Sequence, residues 1–212
     1  MDLNEADTGD APDPQRPDRR ERKAPRPLTG ARLEEMALAY VARFATSAGK
    51  LEAFLSRKLR ERGWEDEGEG RAVIEALTAR FVDLGYIDDA GFARMRSGSL
   101  LRRGYGARRI AQDLNAAGID EDIRADVAPD EGAARRAAFA LARKKGLGPF
   151  TRGLGPEDAL DPALREKQVA SLLRAGHGMT IVRALIAQRE PQEAERWVAE
   201  AEGDASERGF WD

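Results

Sequence analysis

Cysteine is absent from this 212-residue chain, and histidine occurs once, at His177. The first absence excludes disulfides and thiolate metal sites and suits a reducing compartment, so a cytoplasmic protein is expected. The second leaves neither a zinc-ligating cluster nor the base of a nucleophilic triad, so no enzyme, catalytic residue, metal or cofactor is expected. Aromatic residues are scarce, at 6%. Long apolar runs are missing too: the stretch around Ala37–Phe44 is broken by polar residues within a few positions. A bilayer span needs roughly 20 such residues, so no membrane partner is expected. The acidic opening Met1-Asp2-Leu3-Asn4-Glu5 has no apolar region behind it, which argues against a secretory signal. Nor does any segment alternate apolar and polar residues with β-branched enrichment, so no sheet is expected.

Charge is what the chain has in quantity, at 34% of residues with a net of -3. Its distribution says more than its sum. Residues 1–31 carry six basic and seven acidic side chains, and residues 190–212 carry two basic and eight acidic, which leaves residues 32–189 at +4. A mildly basic middle between a mixed head and an acidic end permits nucleic acid or an acidic protein surface as partner without requiring either.

Five prolines (Pro12, Pro14, Pro17, Pro25, Pro27) and almost no large apolar side chain mark residues 1–28. Such a segment cannot offset a backbone ordering cost of about 1–2 kcal/mol per residue, so a disordered N-terminal segment is expected over 1–30. From Leu33 onward Met36, Ala37, Tyr40, Val41 and Phe44 recur at helical spacing, and the helix is expected to end near Ser47–Gly49. Leu51, Phe54, Leu55 and Leu59 form a second helix closed by Gly63, and Ile74, Leu77, Phe81 and Leu84 a third closed by Gly85. The unit then recurs. Leu59, Leu114 and Leu172 each stand four residues before a closing glycine, Gly63, Gly118 and Gly176, at intervals of 55 and 58 residues. The expected fold is all-α: three tandem three-helix modules in an elongated array. Module boundaries are expected at 31–86, 87–130 and 131–190, with 191–212 as an acidic C-terminal tail in which Trp197 docks a terminal helix on module three.

Three stretches resemble a known family. They are Tyr40-Val41-Ala42-Arg43 leading into Leu51–Leu59 and Gly63; Gly85-Tyr86-Ile87-Asp88-Asp89 with Phe92-Ala93, then Arg102-Arg103-Gly104-Tyr105-Gly106-Ala107-Arg108-Arg109-Ile110, Leu114 and Gly118-Ile119; and Arg165-Glu166-Lys167-Gln168 with Leu172–Gly176 and Ile181. From about 33 to 188 the chain resembles the RecX regulatory proteins, modulators of the RecA recombinase in DNA recombination, repair and the SOS response. The resemblance implies three helical modules that bind the RecA–DNA filament along its groove and depress recombinase and ATPase activity. It carries over no catalytic residue and no cofactor, and a monomer is expected.

Candidate contact residues for the filament or for single- or double-stranded DNA are Arg94, Arg96, Arg102, Arg103, Arg108 and Arg109 around Tyr105, joined by Arg143, Lys144 and Lys145 at a later helix end. Guanidinium forks suit phosphates and carboxylates, and a tyrosine ring stacks on a base or an arginine. Their bland counterpart is a solvated basic face, and for Arg143–Lys145 a complement to the helix dipole. Asp88 and Asp89 read as a helix cap rather than a catalytic pair, His177 as an ordinary loop residue, and Trp64 as packing at a module junction. Two rival functions remain: a stand-alone DNA-binding helical protein without a RecA partner, and a helical-repeat adaptor with no nucleic-acid role.

Overall fold

The computed structural model of the chain describes residues 26–153 and 161–208, with residues 202–208 as helical backbone. The fold is all-α. Ten α-helices follow one another among the described residues: α1 (Gly30–Arg43), α2 (Ala48–Arg62), α3 (Gly70–Asp83), α4 (Asp89–Arg102), α5 (Ala107–Ala116), α6 (Glu121–Asp126), α7 (Glu131–Lys145), α8 (Pro162–Arg174), α9 (Met179–Ala187) and α10 (Pro191–Arg208), with a 3-10 turn at Gly148–Phe150. The only strand-like feature described is one bridge between Leu28 and Trp64.

Short polar side chains start five of these helices. Thr29, Ser47, Asp88, Asp130 and Asp161 each accept a backbone N–H of the first turn, which satisfies one of the donors a helix start leaves open. Pro162 opens α8, where its missing N–H costs nothing. Glycines with positive φ end several of them, as at Gly146, where φ is 65° and ψ 52°.

Three separate apolar clusters form. One joins Leu33, Leu51, Leu55, Ile74 and Phe81; the next Phe92, Leu100, Ile110, Leu114 and Ile119; the last Leu141, Leu172, Val182, Leu185 and Trp197. Each gathers helices adjacent in the chain, as local contacts in helical modules should.

Between these bodies there are joints rather than linkers, and at each the start of one helix meets the closing turn of another. At the first, the start of α2 receives the closing turn of α5: Ser47 Oγ donates to the Ala117 carbonyl at 2.6 Å, and the Ala48 N–H donates to Asp89 Oδ1 at 2.9 Å. At the second, the start of α5 receives the closing turn of α8: the N–H groups of Gly106 and Arg108 donate to the carbonyls of Ala175 and Gly176 at 2.9 and 3.1 Å. At the second joint open donors of one helix thus meet open carbonyls of another, positive dipole end to negative, whereas at the first a cap hydroxyl and a carboxylate take part. The approach is close enough to require glycine. A Cβ on Gly49 would stand 2.7 Å from the Gly118 Cα, and one on Gly106 would stand 2.5 Å from the Gly176 carbonyl.

Several expectations are corrected. The first helix ends at Arg43, because the chain turns extended at Phe44, and Ser47–Gly49 begins α2 instead. Phe44 is consequently 49% exposed rather than part of the inner stripe. The expected disordered segment falls largely outside the described residues, but Leu28 within it is fully buried, its N–H on the Gly63 carbonyl and its carbonyl accepting from Glu65, both at 3.0 Å. The span expected as an acidic tail forms α10 through Arg208. Ala194, Trp197 and Ala201 recur on one face of it and are buried, and Arg135 of α7 holds it by stacking on the Trp197 ring and donating to the Trp197 carbonyl at 2.6 Å. The terminal helix expected to dock through Trp197 is thus present, inside the span expected as an acidic tail. Trp211 lies outside the described residues.

Candidate anion-binding cleft at the second joint

Three helix C-termini converge where the second and third apolar clusters meet. Arg103 follows α4, Lys144 and Lys145 end α7, and Arg174 ends α8. Together with Tyr105, Leu141, Ser171 and Ala175 they line an open cleft of about 280 Å³. Each cation complements its own helix dipole, worth about half an elementary charge per helix end. Four full positive charges against three such ends leave the cleft positive. None of the four has a carboxylate within salt-bridge reach among the described residues; Lys145 Nζ reaches only Ser171 Oγ, at 3.3 Å.

Tyr105 does two things here. Its ring is half-buried and packs against both the second and third clusters, and the Arg103 guanidinium lies 5.5 Å from its centroid. Of the two stacking partners expected, a base or an arginine, the structure places an arginine there: the tyrosine seals the joint with most of its surface and supports Arg103 with the rest.

The other sequence candidates divide. Arg108 and Arg109 open α5 at the same joint, exposed but outside the cleft, and Arg102 and Arg143 are exposed helix-end residues beside it. Arg94 is remote, 4.0 Å from Asp88 Oδ2 at the start of α4. Arg96 is engaged internally. Its fork meets Asp113 at 2.6 and 2.8 Å, tying α4 to α5, and those hydrogen bonds hold the Asp113 carboxyl below the usual carboxylate range. A guanidinium so occupied has few donors left for a partner.

Two polar side chains of the cleft were not among the sequence candidates, Arg174 and Ser171. The available signal was a basic residue two positions before the closing Gly176, in the last turn of its helix. His177 also differs from its expected loop role. It is 1% exposed, and its Nε2 pairs with the Gly104 carbonyl at 3.0 Å across the joint. Burial pushes its pKa below 6.5, against the opposite influence of that hydrogen bond, so the imidazole is neutral and donates from Nε2. At the first joint burial raises the Asp89 carboxyl, opposed by the Ala48 N–H. Asp88 caps α4 through the Gly91 N–H at 2.8 Å. No group of acidic or histidine side chains among the described residues is arranged to hold a metal, and none of the described helices is long and apolar enough to cross a membrane.

Comparison with known proteins gives a consistent family. Residues 88–127 match the family model described as RecX, second three-helix domain. The chain is 34% identical over 171 residues to the regulatory protein RecX of Myxococcus xanthus (strain DK1622), covering 77% of this chain and 89% of that protein. It is 29% identical over 178 residues to the regulatory protein RecX of Mycobacterium sp. (strain JLS), covering 81% and 91%. The crystal structure of RecX from Lactobacillus salivarius superposes with a TM-score of 0.58 at 21% identity, over 78% of this chain and 96% of that one, and so shares the fold.

Proposed function

The chain belongs to the RecX family of regulatory proteins, and from that premise we propose that it binds the RecA–DNA filament and lowers recombinase and ATPase activity. The observation that carries this reading is the four-cation cleft at the joint between serial modules, where no carboxylate stands within salt-bridge reach among the described residues. A concave positive surface held at fixed spacing suits a repetitive anionic polymer. Arg103, Lys144, Lys145 and Arg174 would contact phosphates or acidic side chains of the filament, and the modules on either side would add reach and effective concentration.

Inhibition needs no chemistry from this chain. A ligand that binds one filament state more tightly than the others shifts the population toward it and halts cycling or growth. The test is a titration of RecA, ATP and single-stranded DNA with the purified protein. ATP hydrolysis should fall to a plateau, and the Arg103→Ala, Lys144→Ala, Arg174→Ala triple variant should require a higher concentration to reach it. Hydrolysis unchanged at saturating protein would refute the function. If all four cations contact phosphates of a single strand, affinity should fall with salt at a log–log slope of about -3.

A further inference from the structure

Six polar side chains are buried among the described residues, and two of them, Gln168 on α8 and His177 just beyond it, flank Arg174 of the cationic cleft. Neither lines the cleft itself. An apolar side chain at either place would fill the core without the desolvation cost of an amide or an imidazole. What distinguishes the two residues is where their hydrogen bonds go.

Gln168 reaches from α8 to the turn that leaves α7. Its Oε1 accepts the Gly148 N–H at 2.7 Å, and its Nε2 donates to Thr151 Oγ1 at 2.9 Å, which in turn donates to the Gly148 carbonyl at 2.8 Å. His177 reaches from the end of α8 to the end of α4, through the Gly104 carbonyl at 3.0 Å. The third side of the triangle needs no side chain. Gly104, at φ 82°, closes on α7 so nearly that a Cβ there would stand 2.9 Å from the Leu141 Cβ. These links join the three helix ends pairwise, and each lies within three residues of a cation. Gly104 follows Arg103, Gly148 is three residues beyond Lys145, and His177 is three beyond Arg174.

Like charges on converging helix ends repel one another, so the walls of the cleft stay together only if something else holds them. Both side chains do so without adding charge, His177 because burial keeps its pKa below 6.5. We propose that Gln168 and His177 are positioning residues of the cleft: they set the separation of Arg103, Lys144, Lys145 and Arg174, and with it the affinity for a polyanion. The inference rests on the function proposed above only in taking the cleft as the contact. Holding the cations in place beforehand lowers the ordering cost of binding.

The probe is inorganic polyphosphate, a repetitive anion without bases or protein, titrated calorimetrically into His177→Leu, His177→Gln, Gln168→Met and wild type. Each is also made in the Arg103→Ala, Lys144→Ala, Arg174→Ala background. Leucine removes the bond to Gly104, glutamine keeps an N–H donor within reach of it, and methionine replaces the amide by an apolar chain of similar length. His177→Leu and Gln168→Met should each weaken binding about tenfold, the loss of roughly one charge-assisted contact. His177→Gln should stay within about threefold of wild type, since the donor is kept. In the triple background neither loss should recur, because walls without their charges gain nothing from being held. Circular dichroism checks the fold, and should one of the two variants not fold, the other decides. Equal losses in both backgrounds would mean general loosening and would overturn the positioning role, as would wild-type affinity in the folded variants. Polyphosphate bound as tightly by the triple variant as by wild type would overturn it too, by placing the anion elsewhere. RecA is titrated separately: ATP hydrolysis unaffected by wild type, with the polyphosphate pattern as expected, would refute the function and leave the positioning role standing.

Discussion

Replacing Gly106 by alanine isolates the second joint from everything else in the molecule. The backbone there, φ -87° and ψ 170°, is open to any L residue, so the substitution carries no conformational penalty of its own. The damage comes from contact. The new Cβ would lie 2.5 Å from the Gly176 C and O and the His177 N, all main-chain atoms, where ordinary contact begins at 3.4 Å. The joint must part by about 1 Å. Two hydrogen bonds across it, Gly106 to Ala175 and Arg108 to Gly176, then lengthen, together with His177 to Gly104. At about 0.5–1.5 kcal/mol each, or by analogy with overpacked cores, the loss is roughly 2–4 kcal/mol. For a cooperative chain of this size that lowers Tm by roughly 5–15 °C. Gly98→Ala is the control: it lies inside α4, meets only the tip of Arg102 at 3.4 Å, and should stabilise by about 0.5–1 kcal/mol. The assay is thermal unfolding by circular dichroism, paired with small-angle scattering to read the angle between modules. A Gly106→Ala protein with wild-type Tm and an unchanged scattering curve would refute the interlocked joint.

Other outcomes follow from side chains. Leu114→Ala, at a fully buried position, should cost about 2–5 kcal/mol in urea unfolding; an unchanged midpoint would remove it from the core. Trp197→Ala should release α10 from α7 and speed proteolysis within residues 191–208, and protection equal to wild type would contradict the docking. Stability should fall between pH 7.5 and 5.5 because of His177. Its folded pKa is depressed below 6.5, so as pH drops through 6.5 the unfolded chain takes up a proton that the folded chain resists, a loss of at most about 1.4 kcal/mol at pH 5.5. His177→Gln should flatten that slope, and an unaltered slope would place the titration elsewhere. Asp113→Asn should leave Arg96 without its ionic partner and cost about 1 kcal/mol or less, given the partial exposure of the pair, read from chemical denaturation.

Much of the architecture was legible because helices announce themselves locally. Leu114 and Leu172, picked out by their distance from closing glycines, are fully buried, whereas Leu59 is only partly so. The joints were not legible, since they are made by groups far apart in sequence, most of them on the backbone. Gly49 and Gly106 read as turn residues, and nothing in periodicity places them against Gly118 and Gly176. His177 read as a loop residue for the same reason: its partner is a carbonyl 73 positions away. In the cleft, Arg103 belongs to the arginine cluster around Tyr105, and Lys144 and Lys145 to the basic run at a helix end, that the sequence marks as candidates. The pairing of Arg96 with Asp113 was not legible, because it depends on how α4 and α5 cross rather than on composition.

The joints also bear on how such a chain can change over time. Their specificity is written largely in main-chain groups and missing Cβ atoms, with Ser47 and Asp89 the side chains that take part at the first. Surface charge, core volume and loop length can therefore drift widely while the stagger from one segment to the next stays constant. A shared fold at 21% identity is what such a division of labour permits. It also means that new partner preferences can be painted onto the outer faces without retuning the frame that spaces them.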